Sequence, residues 1–120
     1  MPRLTDPEDY ARTMLRYAQE AARLAQNRER ADLDNDRVFE LALAHLVQNV
    51  GTAAETTRRN RQFWNGRLQH ERHALSDFRN RIAHDTDPMD RNRLWHTVTV
   101  TLPGIIPTLE TIVAANNAAQ

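Results

Sequence analysis

Leu94-Trp95-His96-Thr97-Val98-Thr99-Val100-Thr101-Leu102-Pro103 decides the fold. Its centre, Thr97 to Thr101, alternates and is β-branched throughout, the local signature of a strand. Nothing else in the chain reads as a strand, and a lone strand leaves its backbone groups without partners. Residues 90–101 are therefore expected to be helical against local propensity. Pro103 is expected to break that helix, and a short last helix to run from about Ile105 or Pro107 to Val113, leaving residues 114–120 as a frayed tail.

Working back from there, the other helices announce themselves by start signals and spacing. Asp6 is a capping residue, Pro7 suits a first helical position, and Glu8 and Asp9 favour the positive end of the dipole. Tyr10, Met14, Tyr17, Ala18, Ala21 and Leu24 follow at helical spacing. A second helix is expected from Asp34 or Asp36 to about Thr57, with an apolar stripe of Val38, Leu41, Ala42, Leu46, Val50, Ala53 and Ala54. Gly51 lies inside it, which suggests a close helix neighbour. Residues 58–66 read as a loop ending in an Asn65-Gly66 turn. A third helix runs from Gln69 or Glu71 to about His84, stopped by Asp85-Thr86-Asp87-Pro88. The expected architecture is an all-α, up-and-down bundle of four main helices plus a short C-terminal helix, one domain over residues 1–120.

Composition narrows the function. The 120 residues contain no cysteine, so disulfides and thiolate metal sites are excluded. The N-terminus lacks the apolar stretch of a secretory signal, and no apolar run approaches the ~18 residues of a membrane span, so no membrane association and a cytoplasmic location are expected. All 16 basic residues are arginine, balanced by 16 acids. Residues 1–57 hold seven arginines against ten acids, residues 58–93 nine against five, and residues 94–120 only Glu110. The basic middle segment suits a phosphate backbone, although a solvated arginine face has the same composition.

Four of the five histidines offer little chemistry. His70 and His73 are one residue short of the H-E-x-x-H zinc spacing, and no metal or cofactor is expected. His45 reads as a half-buried packing residue, and His96 has no obvious partner. His84 differs because of Phe78-Arg79-Asn80-Arg81-Ile82-Ala83-His84-Asp85. At about 100° per residue, Leu75, Phe78 and Ile82 form the buried stripe, and Asn80 and His84 fall on the opposite side. Arg79 lies about 140° around the axis from His84, so the two converge only through a break at His84 or a second subunit. The helix C-terminus favours the imidazolium form of His84.

Arg79-Asn80-Arg81-Ile82-Ala83-His84 resembles the R-N-x-x-x-H motif of HEPN-domain ribonucleases, and within them the HepT family of bacterial toxins. The likeness covers residues 6–113. Val47-Gln48-Asn49-Val50-Gly51-Thr52-Ala53 resembles the family's glycine-containing second helix, while Trp95 and Leu102-Pro103 fall where members place V-W and L-P pairs. The resemblance implies a metal-independent endoribonuclease, working as a homodimer with both motifs in one interface cleft. His84 would transfer the proton of the ribose 2′-hydroxyl or of the leaving 5′-oxygen. Arg79 would hold the scissile phosphate, and Asn80 would orient the phosphate or His84. A group titrating near neutrality suits the proton transfer, and a guanidinium meets the charge of a phosphorane bidentately.

The resemblance also implies a toxin–antitoxin pair whose partner is an MNT-type nucleotidyltransferase antitoxin. That partner modifies with AMP the tyrosine of a continued H-x-Y motif. Here Thr86 occupies the tyrosine's place, and Gln48 and Thr52 flank Gly51 where several members carry acids. An alternative reading is a non-catalytic HEPN module that binds a nucleotidyltransferase or a nucleotide; the intact Arg79 and His84 favour the enzyme.

Overall fold

The computed structural model describes residues 7–84 and 90–118, with side chains over 10–83 and 90–116. Its elements are α1 (Pro7–Ala25), α2 (Asp32–Asn35), α3 (Arg37–Thr56), α4 (Arg61–Trp64), α5 (Gln69–His84), α6 (Arg91–His96), a π-helical turn (Thr97–Thr101) and α7 (Leu102–Ala118). No strand occurs among the described residues. The protein is an all-α bundle of four long helices: α1, α3, α5 and the continuous α6–π–α7 rod.

Side-chain caps close the starts of α3, α5 and α6. The Asp36 carboxylate accepts from Phe39 N at 3.1 Å and caps α3. Asp90 caps α6 through Arg93 N at 3.0 Å. Glu71 reaches back to Leu68 N at 3.1 Å, satisfying a free donor at the start of α5. Gly66 takes φ +78° at the Asn65-Gly66 turn, a conformation in which a Cβ is strained. Asn27 adopts φ 64° just beyond α1. The Asp6 cap and the Asp85–Pro88 stop lie outside the described residues.

The α1 core side is Tyr10, Ala11, Met14, Ala18, Ala21 and Ala25. Its small residues allow α3 to lie close, and α1–α3 is the most extensive helix pair. Leu24, expected on the α1 stripe, is exposed. The α3 stripe is rotated from the expected one. Phe39, Leu43 and Val47 are buried with Val50, Ala53 and Ala54, whereas Val38 and Leu41 are 78% and 52% exposed. Both stripes have helical spacing; packing of Phe39 edge-on to Trp95, with ring centroids 6.5 Å apart, selects this one. The segment expected to be loop at 58–66 contains the short helix α4, capped by Asn60 and pinned by fully buried Phe63. One helical turn, α2, also precedes α3.

The alternating stretch 97–101 is helical, but neither a break nor a separate last helix follows it. Leu102 N–H bonds to Thr97 O, five residues back, and the helix then runs to Ala118, past the expected end at Val113. Pro103 brings no N–H and its ring crowds the carbonyl one turn earlier. The wider π turn just before it relaxes that crowding. Buried Leu94, Val98, Leu102, Ile105, Leu109 and Ile112 hold the rod against its neighbours, chiefly α1. The helix over Arg91–Asn116 holds no unbroken apolar run of 18 residues, yet by length and composition alone it contains an 18-residue window, of mean hydropathy 1.5, apolar enough to cross a membrane. A third of that window is buried in the bundle, through residues such as Val98, Leu102 and Leu109.

Glu40, 5% exposed, is the anchor between α3 and the rod. It accepts from Arg91, across 51 residues of sequence, and from Arg37 at 2.7 Å. Arg91 also reaches Asp34 at 3.2 Å, and Arg30 Nε donates to Asn92 at 2.7 Å. Arg91 and then Arg37 hold the Glu40 carboxyl below its ordinary range. Arg30, with Arg91, does the same for Asp34, and the Phe39 amide, with Arg28, for Asp36. Lowered folded pKa values mean stabilisation that is full above the ordinary carboxylate values of 3.8 to 4.5 and is lost as pH falls through the folded values. Urea denaturation is therefore expected to show stability falling below about pH 4.5. Glu40→Gln is expected to cost about 1–2 kcal/mol at pH 7 and to flatten that pH dependence.

Candidate active site

The helix α5 carries the motif. Glu71, Leu75, Phe78 and Ile82 are buried, the side that the spacing of the sequence assigns to the core. This fixes the helix rotation and leaves Asn80 exposed. Arg79 is half-buried at the edge of the stripe. Its Nε is closed off from solvent and makes no hydrogen bond among the described residues. A half-buried guanidinium with no ion pair among the described residues is suited to an anion supplied from outside.

The helix holds through His84. Helical positions 79 and 84 are therefore about 140° apart around the axis within one chain. The His84 side chain and all of Thr86 lie outside the described residues. The end of α5 sits at the same end of the bundle as the start of α3, because Arg91, seven residues after His84, is bonded to Glu40. Exposed Val38 and Leu41 belong to that end.

The other histidines fall away from the chemistry. His45 is exposed and 3.1 Å from Asn49 Nδ2, which corrects its reading as a half-buried packing residue. Its face is the one released when Phe39 and Leu43 turn inward. His70, His73 and His96 are exposed, and His73 lies 3.3 Å from Gln69. No group of three metal-ligating side chains forms among the described residues.

The basic segment divides into two populations. Arg91 and Arg93 are ion-paired with acids, Arg67 donates to Phe63 O at 2.9 Å and lies over the Phe63 ring, and Arg72 donates to Trp64 O at 2.8 Å. These arginines bind the fold to itself, as charge counting alone could not reveal. Arg79 has no such bond.

A four-helix bundle with an arginine–asparagine pair on the edge of its third long helix, one turn before a histidine at the helix end, is a HEPN-type architecture. The family model for ribonuclease HepT-like proteins matches residues 14–112, and the chain belongs to that family. No curated protein and no solved structure matched the chain.

Neither Arg79 nor Asn80 makes a side-chain hydrogen bond or ion pair among the described residues, so little stability is expected to depend on their polar groups. Arg79→Met and Asn80→Ala are expected to unfold in urea within about 0.5 kcal/mol of wild type. Inorganic phosphate at millimolar concentration is expected to raise the Tm of wild type more than that of Arg79→Met, checked by calorimetry.

Proposed function

We propose that this protein is the metal-independent endoribonuclease toxin of a HEPN/MNT toxin–antitoxin pair. The carrying observation is Arg79, half-buried and without a hydrogen bond or ion pair among the described residues, in the register of the R-N-x-x-x-H motif. In this reading the scissile phosphate pairs with the Arg79 guanidinium. His84 removes the 2′-hydroxyl proton, and the 2′-oxygen attacks the adjacent phosphorus. The 5′-oxygen leaves with a proton, giving a 2′,3′-cyclic phosphate. Arg79 offsets the charge gained by the phosphorus-bound oxygens, and Asn80 keeps the phosphate or His84 in line.

The same reading needs two copies of the chain. Since α5 does not break before His84, Arg79 of one subunit is completed by His84 of the other. Val38 and Leu41 supply apolar surface at the correct end of the bundle for that contact. A stable interface buries at least ~1,000 Å² in total. The cognate nucleotidyltransferase would act by covering this cleft. Thr86, with a short hydroxyl of much higher pKa than tyrosine's ~10, is a poor AMP acceptor.

Wild type is expected to cut RNA in the presence of EDTA. His84→Ala is expected to lose at least ~100-fold in rate, and a substrate with 2′-deoxy at the cleavage position is expected to resist. Metal-dependent cleavage, or equal cutting of the deoxy substrate, rejects the mechanism. Light scattering should give a dimer at micromolar concentration, and Val38→Glu/Leu41→Glu should give a folded monomer that no longer cleaves. A wild-type monomer refutes the shared cleft.

A further inference from the structure

The far end of α5 carries a second basic feature that the motif does not use. The segment that follows α3, the short α4 and the first turn of α5 border an open surface groove of about 560 Å³, and Arg58, Arg59, Arg61, Trp64 and Arg72 line it. No acid is among the lining residues; Glu55, paired with Arg58 at 3.0 Å, stands beside it. Arg59 and Arg61 are exposed and make no ion pair among the described residues. Four guanidinium groups held around one groove repel one another, and an incoming polyanion relieves that repulsion.

Trp64 gives the groove a second property. Its indole N–H donates to Thr57 O at 2.6 Å, and its ring stands edge-on to buried Phe63, centroids 5.1 Å apart at 89°. Asn60 is held by its cap to Phe63 N and by a 3.2 Å bond to Tyr10 OH. The half-buried indole is therefore a fixed aromatic wall beside the exposed Arg59 and Arg61. An unpaired base can stack on such a wall while its phosphates meet the arginines; bases inside a duplex cannot. Arg72 and Arg79 are seven residues apart on α5, two turns and about 10 Å along one side of the helix. One strand held at Arg79 continues naturally past Arg72 into the groove.

We propose that the Arg58–Arg61/Trp64/Arg72 groove binds single-stranded RNA a few nucleotides from the scissile phosphate, so that flanking sequence contributes to substrate affinity. This rests on the ribonuclease reading of α5 for its choice of ligand, and on the groove alone for its geometry. The probe is a fluorescent, uncleavable 2′-O-methyl single-stranded 12-mer, titrated by anisotropy into the full-length protein. Arg59→Ala/Arg61→Ala changes two exposed side chains that hold nothing in the fold. It is expected to weaken binding at least ~10-fold near 0.1 M salt and to reduce the slope of log K against log salt by about 1.4, two contacts at ~0.7 each. With a cleavable 12-mer its KM should rise while kcat on a dinucleoside phosphate, too short to reach the groove, stays at the wild-type value.

Unchanged 12-mer affinity and salt slope overturn the proposal, whether or not the protein cleaves RNA. Equal affinity for a duplex of the same length, or for AMP alone, also overturns it. Binding lost in the double variant, together with absent cleavage by wild type, keeps the groove and rejects the ribonuclease reading. Cleavage intact with binding unaffected does the reverse.

Discussion

The bond between Glu40 and Arg91 is the constraint on which the site end of the molecule depends. A carboxylate 5% exposed at the start of α3 must be paired, because an unpaired buried charge is far more costly than a paired one. Its partner is the first residue of the rod that follows the motif. Arg37, Asp34, Arg30 and Asn92 extend the pairing on either side. The start of α6 is thereby fixed to the foot of α3. Phe39 lies beside this cluster, with Arg28 4.0 Å above its ring and Trp95 at its edge. The rotation of α3, and so the outward placing of Val38 and Leu41, follows from that packing.

Arginine performs two tasks in this chain, and its environment separates them. Where a carboxylate or carbonyl lies within reach, the fork closes a structural bond, as at Arg28, Arg30, Arg67 and Arg91. Where none does, the charge is left for a ligand, as at the enclosed Nε of Arg79 and at exposed Arg59 and Arg61. Both uncommitted groups lie along or beside α5, at its two ends. A helix is a suitable mount for them, since its rise fixes their spacing and the core stripe of Leu75, Phe78 and Ile82 fixes its rotation.

The π turn at Thr97–Thr101 shows tertiary packing overruling local preference. Five β-branched residues in succession favour a strand, yet Thr97, Val98 and Thr101 are buried on a helix. No neighbouring strand exists among the described residues to satisfy the backbone, and burial of Leu94, Leu102 and Leu109 on one side rewards the helix. Pro103 and Pro107 lie within the rod because the preceding wide turn and an exposed outer side leave room for their rings.

The sequence by itself determined the helical class, the limits of α5 and its core side, and the family. These depend on period, capping residues and a local motif, all of which are carried by neighbours in the chain. The caps at Asp36 and the turn at Gly66 were legible for the same reason. Tertiary structure decided the rest. Val38 and Leu41 fit a helical stripe as well as Phe39 and Leu43 do, and only contact with Trp95 and the Glu40–Arg91 pair chooses between them. His45 was misplaced by that same rotation. The groove at Arg58–Arg61 and Trp64 was hidden in a segment that reads as loop, since a four-residue helix has no period to detect and is held in place by burying Phe63. Which arginines are free was also beyond the sequence, because pairing is settled by residues as far apart as Glu40 and Arg91.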